Sequence, residues 1–405
     1  MKRGFACLLI LVLCMGLISC TSSLSPDEEN PSGSQVHQIG VIVYNTGDEE
    51  VISFREYLQG YIESNFEMVR FIYSDSIRTR EEELAFIQSA CDDGAEGFMS
   101  FLSHDLRAEV ALCEQNQAYY LLASGTVSDE DFDAVSDNPW FLGMFGPGKP
   151  FEFQAGADMA RYFVKEQLGS RYFILSGGAS MGNEMHYQRT LGILDTLSAA
   201  YGVSFPQSRY ELAGAAEVAT FESEKLTITI CPGYISRENY LAAAKEAFSQ
   251  GDYDAVLSVL PPEEMVNAIG DTPLGIVDSY NTRNLQLYVS GVLRFVVGKY
   301  SSMIGPAFAL MLNAVTGYAD DFRDNGRAVS VTQGFWISES EEDYTEKYAF
   351  ANSAAMNAYN FRDLSQVIRI FNPKANLNDL VALAEACSYR SVQARRSAFP
   401  TQQPE

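Results

Sequence analysis

Residues Gln38 to Tyr44 read QIGVIVY, and the polar turn Asn45-Thr-Gly-Asp48 follows directly. A short apolar run rich in β-branched residues predicts a strand covered on both faces, as in a parallel sheet. From Glu50 to Ser64 the spacing turns helical, with Phe54, Leu58, Tyr61 and Ile62 on one face. The alternation continues with a strand at Val69–Tyr73, a helix at Thr79–Ala90 and the turn Asp92-Asp93-Gly94. Then come a strand at Gly97–Phe101, a helix near Leu106–Cys113 and a strand at Tyr119–Ala123. Short apolar strands alternating with amphipathic helices define an α/β fold with helices on both faces of a parallel sheet.

A strand at Trp140–Phe145 precedes Gly146-Pro147-Gly148 and Pro150, which interrupt the pattern. A second series then begins with a helix near Phe153–Leu168. It runs through strand Tyr172–Ser176, helix Asn183–Ala200, helix Arg237–Phe248, strand Ala255–Leu260 and strand Leu274–Asp278. Val292–Val297 reads as a strand, Ile304–Val315 as an apolar helix and Phe335–Ile337 as another strand, with helices to about residue 388. The expected architecture is two doubly wound parallel-sheet lobes.

The 405 residues are 47% hydrophobic, with 28 Lys+Arg against 53 Asp+Glu and a net charge of -25. A surface this acidic repels nucleic acid, whose binding rests on Lys and Arg neutralising phosphates. It also disfavours docking on anionic lipid, so a membrane contact needs a covalent anchor. Lys2 and Arg3, followed by the uncharged stretch Gly4–Ser19, read as an export signal too short to span a bilayer comfortably. Leu17-Ile18-Ser19-Cys20 resembles the bacterial lipobox, in which the Cys is lipidated and becomes the mature N-terminus. Loss of residues 1–19 removes two basic residues and leaves -27. Residues 21–36 are rich in Ser, Pro and acid, and read as a flexible tether. Cys91, Cys113, Cys231 and Cys387 are widely spaced without a C-x-x-C pair, so neither zinc nor redox chemistry is expected and the thiols should be buried and free.

Two catalytic motifs fail on inspection. Gly178-Ala-Ser180-Met-Gly182 fits a nucleophile elbow, but the only later histidine, His186, lies on the adjoining helix, where a triad base is not expected. Gly143-Met-Phe-Gly-Pro-Gly-Lys149 starts like a P-loop, yet Pro150 stands where magnesium needs a hydroxyl and Pro147 lacks an N–H to offer phosphate. No cofactor and no metal are expected.

With tether and two alternating series in place, the body resembles the type I periplasmic binding proteins, the ribose-binding-protein-like solute receptors of ABC transporters. Gln38–Tyr44 looks like their opening strand, and Asp92-Asp-Gly-Ala-Glu-Gly-Phe98 is similar to their helix-to-strand junction. Arg189-Thr-Leu-Gly192 fits their R-x-x-G, and Gly275-Ile-Val-Asp278 looks like their strand ending in a ligand-binding Asp. Gly298–Gly305 resembles their return crossing, with Lys299 where many relatives carry Gln or Asn. The resemblance implies two lobes joined by a three-strand hinge around a ligand. It divides the chain into 1–19 (signal), 20–36 (lipidated Cys and tether), 37–145 plus 292–330 (first lobe) and 146–291 plus 331–340 (second lobe). Residues 341–390 form C-terminal helices and 391–405 a polar tail.

In open α/β sheets a ligand lies beyond the carboxyl ends of the strands, which sets the candidates for a cleft. The first lobe offers Tyr44, Asn45, Asp48, Ser103, His104 and Ser124, with Phe145 near the hinge. The second offers Ser180, Asn183, Arg189 and Asp278, and the return crossing Lys299 and Tyr300. Arg189 and Asp278 suit bidentate bonding to vicinal hydroxyls or a carboxylate, and Tyr44 or Phe145 packing on a sugar ring. The expected function is non-enzymatic: a lipoprotein on the outer face of the bacterial cell membrane captures a small polar solute for a permease. A sugar is the expected solute, with nucleoside, amino acid or sugar acid as alternatives. A sensor engaging a signalling receptor, or a hydrolase using Ser180, are the rival readings.

Overall fold

The computed structural model describes residues 36–125, 127–177, 184–232, 237–262, 265–352 and 358–398, the side chains of 237–240 excepted. Cys20 and the export segment therefore lie outside the described residues.

The opening run forms β1 (His37–Val43), flanked by β2 (Val69–Ser76) and β3 (Ala95–Ser100); β4 (Tyr119–Leu122) and β5 (Phe141–Gly146) continue the sheet. Its order is β12-β5-β4-β3-β1-β2, parallel throughout, with β12 at Val329–Thr332. The second sheet comprises β6 (Arg171–Leu175), β7 (Ala219–Glu222), β8 (Thr227–Cys231), β9 (Ala255–Ser258), β10 (Leu274–Ser279), β11 (Leu293–Lys299) and β13 (Trp336–Ser338). Its order is β13-β11-β10-β9-β6-β8-β7, parallel except for β13 and β7 at the two edges. These are two α/β lobes of the expected kind.

One strand changes lobe. The division 292–330 assigns Leu293–Lys299 to the first lobe, whereas β11 pairs with β10 in the second. An apolar strand suits either sheet, and only its hydrogen-bond partners choose. The chain thus crosses between lobes at Pro147, at Tyr300–Ile304 and at Gln333–Phe335. After the second crossing, helix Gly305–Asn313, whose nine residues are all buried, packs under β3, β4 and β5.

In the second lobe, helices Gly148–Lys165 and Glu184–Tyr201 pack with almost no gap. A Cβ on Gly156 would collide with the backbone of Arg189, and one on Gly192 with the backbone of Phe153. The glycine of the R-x-x-G motif is therefore a close-approach residue. Beyond β13, helix Glu341–Asn352 lies against Thr282–Val289, while Phe361–Val367 and Leu377–Glu385 lie against Gly305–Asn313.

Candidate functional site

The end of β1 builds one wall of the cleft. Tyr44 leaves the strand, Asn45 Oδ1 accepts from Gly47 N at 3.1 Å, and Asp48 caps helix Glu49–Arg55. Asp48 Oδ1 takes the N–H of Glu50 at 2.9 Å and the Tyr44 hydroxyl at 3.0 Å. Burial, with the nearby Glu50 and Asp48 carboxylates, holds the Tyr44 phenol well above its ordinary pKa, so it acts as a donor.

The facing wall comes from β10 and β11, where Asp278 pairs in register with Gly298 and Ser279 with Lys299. Asp278 Oδ2 accepts from Asn284 Nδ2 at 2.7 Å. Burial pushes its carboxyl up to about 7, against the lowering hydrogen bond from Asn284. The Asp48 and Glu50 charges add to the rise. Lys299 Nζ reaches across to Glu50 Oε1 at 3.0 Å, the lysine buried and the glutamate side chain 14% exposed. Burial also raises the Glu50 pKa, and Lys299 pulls it back. Tyr44, Asp48, Asp278 and Lys299 are thus brought into electrostatic contact. Glu50, which sequence reasoning named only as the start of a helical stretch, joins them.

Other expected site residues are engaged elsewhere. Arg189 gives Nε and Nη2 to Glu152 at 2.5 and 3.2 Å and Nη1 to the Val259 carbonyl at 2.8 Å, all buried. Its guanidinium is held by this pair between the two close helices, in place of the expected fork for a ligand. Ser103 Oγ donates to Glu109 at 2.6 Å, and His104 Nδ1 lies 2.8 Å from Glu83. Glu109 further accepts from the N–H groups of His104 and Asp105 and from the Tyr120 hydroxyl. Burial raises Glu83 to about 9, and the neighbouring Glu109 adds to the rise. Ser103 and His104 therefore anchor their loop to a buried carboxyl pair.

Phe145 is fully buried within β5 and belongs to the core, so it offers no stacking face. Tyr300 is likewise core: its ring stacks on Trp336 at 3.9 Å. Ser124 lies after β4 with its hydroxyl buried and without a hydrogen-bond partner among the described residues. Ser180 and Asn183 lie outside the described residues. His186 packs on Gly177, and burial, then Arg189 and Lys299, lower its pKa to about 3. A hydrolytic base needs a value near the working pH.

The described part of the cleft thus sets three carboxyl groups, a phenol and one ammonium where the carboxyl ends of strands from both sheets meet. Such a set donates to and accepts from hydroxyl groups without any bond-making step.

No family model matches this chain, and no curated protein does either. Solved structures do. The periplasmic binding protein of the arabinose ABC transporter from Shewanella sp. ANA-3, bound to L-arabinofuranose, shares 14% identity. It covers 78% of this chain and 95% of its own at a TM-score of 0.53. An ABC transporter solute-binding protein from Bacillus halodurans C-125 with bound myo-inositol shares 15%, covering 78% and 99% at 0.55. One from Actinobacillus succinogenes 130z with bound D-allose shares 10%, covering 76% and 99% at 0.56. The chain has the fold of the type I periplasmic binding proteins.

Proposed function

We propose that this protein is an extracytoplasmic solute-binding lipoprotein that takes up a small polyhydroxylated ligand, a sugar, between its lobes for an ABC-transporter permease. The observation that carries the reading is the meeting of Tyr44, Asp48 and Glu50 from one lobe with Asp278 and Lys299 from the other. A ligand held by both walls is recognised through its hydroxyl pattern. The likeness to sugar-bound structures of the same fold supports the ligand class, and the Lys-Arg start with Leu17-Ile-Ser-Cys20 supports export and lipidation at Cys20. The reading includes no catalysis.

Native mass spectrometry of the purified protein, followed by a thermal-shift screen, tests it. The screen covers L-arabinose, D-allose, D-galactose and myo-inositol, then nucleosides and amino acids. A co-purified sugar, or a sugar-dependent rise in melting temperature, is expected because binding the native state alone stabilises it. A nucleoside or amino acid hit would overturn the ligand class. An empty mass with no shift across the panel would overturn the receptor reading.

A further inference from the structure

A cavity of about 250 Å³ opens in the first lobe, lined by Tyr119, Pro139, Trp140, Gly317, Ala319 and Asp320. Tyr119 starts β4 and Trp140 precedes β5, so both stand at the amino ends of parallel strands. The cleft lies at the carboxyl ends, and the cavity is therefore at the opposite pole of the sheet.

Three features make this cavity aromatic and negative. The Tyr119 and Trp140 rings, both half-buried, lie 4.9 Å apart at 42°. The helical run that begins at Gly305 breaks at Gly317, where φ is +90°, so the cavity meets the carboxyl end of a helix and the negative end of its dipole. Asp320 is exposed, and among the described residues its carboxylate has neither a hydrogen bond nor an ion pair. It lies close to the Tyr119 hydroxyl: burial raises the pKa of that phenol, the Asp320 charge adds to the rise, and Arg323 pulls it back.

The neighbouring cations of the chain are committed elsewhere. Arg323 gives its N–H groups to the carbonyls of Ser136, Asn138, Pro139, Phe141 and Gly326, which uses every donor of the guanidinium. Arg369 is held by Asp321 Oδ2 at 2.9 Å and lies 6.0 Å from the Tyr318 ring centre. There a carboxylate and a ring share one cation. Asp320, with Tyr119 and Trp140, repeats that chemistry beside the cavity, and among the described residues no cation pairs with it. Aromatic faces attract organic cations, above all alkylated ammonium groups. Such an ion gains from the rings, the carboxylate and the helix end together, and the net charge of -25 adds long-range attraction.

We propose that this cavity is a second ligand site, separate from the cleft, which takes a small alkylammonium ion against Tyr119, Trp140 and Asp320. It stands independently of the sugar reading, because none of its residues belongs to the cleft.

Choline is the probe, and the protein carries its own reporter. Of its two tryptophans, Trp336 is 2% exposed in the core and Trp140 lines the cavity. Choline chloride titrated into the purified protein should change the tryptophan emission saturably, and sodium chloride at equal ionic strength should not. The neutral alcohol with a tert-butyl group in place of trimethylammonium has the same shape without the charge, and should fail too. Trp140→Phe should abolish the signal. Asp320→Asn, an exposed change, should weaken choline binding by about tenfold, the loss of one nearby opposite charge. It should leave the melting temperature and any sugar-dependent shift as in the parent. An equal response to the neutral alcohol, a signal that survives Trp140→Phe, unchanged affinity in Asp320→Asn, or no saturation in the millimolar range would each overturn the proposal.

Discussion

Lys299 and Glu50 stand on opposite lobes, yet their charged atoms lie 3.0 Å apart with only 5% and 14% of the side chains exposed. Their attraction is weakly screened, and neither group has bulk water to fall back on. Breaking the pair leaves a buried charge, whereas replacing both partners removes the problem. Lys299→Met alone and Glu50→Gln alone should each lower stability more than the double variant does. Urea unfolding of the four proteins should give a coupling energy of about 1–3 kcal/mol. Additive effects would show that the pair is not formed in solution.

Arg189→Ala should destabilise by roughly 3–5 kcal/mol, because it strands Glu152, itself 1% exposed, in the interior. Any loss of ligand affinity should then accompany the loss of stability, and Arg189→Met with Glu152→Gln should recover much of both. A variant as stable as the parent but blind to ligand would place Arg189 back in the cleft.

The pH dependence follows from Asp278, held near 7 by burial while an unfolded Asp titrates near 3.8. Between those values the folded carboxyl keeps a proton that the unfolded one has released, so folding takes up a proton and stability falls as pH rises. The slope is at most about 1.4 kcal/mol per pH unit and vanishes above pH 7. Asp278→Asn should flatten the profile between pH 4 and 7 and leave the protein more stable at pH 8. Denaturant titrations at pH 5, 6, 7 and 8 measure this, and an unchanged profile would contradict it.

Within the first lobe the carboxyl pair is unequal. Glu83, its pKa raised to about 9, is neutral at pH 7, so Glu83→Gln exchanges one uncharged group for another and should be tolerated. Glu109 accepts two backbone N–H groups and two hydroxyls. Glu109→Gln sets an amide N–H₂ against some of those donors and should cost about 1–3 kcal/mol. Melting temperatures of the two variants decide the matter, and equal losses would refute the assignment of the proton.

Gly192→Ala should lower stability by about 1–3 kcal/mol, since the methyl group must force helices Gly148–Lys165 and Glu184–Tyr201 apart. Chemical denaturation is the measurement. No change would mean that the helices lie farther apart in solution.

By itself the sequence determined what local periodicity encodes. Runs such as QIGVIVY are apolar because parallel strands are covered on both faces, and the helices between them show one apolar side. That alternation was enough for an α/β fold with two lobes, and the order of its short motifs pointed to the right family of folds. Tertiary structure decided what depends on partners distant along the chain. Leu293–Lys299 would pair in either sheet on its composition, and hydrogen bonding to β10 settled the choice. Arg189 met Glu152, 37 residues earlier, and so left the set of free ligand-binding groups. Tyr300, an aromatic at a strand end, became a core ring against Trp336, and Glu50, named only as the start of a helical stretch, became the partner of Lys299 across the cleft. A charge or a ring carries no mark of its partner in its neighbours along the chain, because burial and pairing arise only when separate elements pack together.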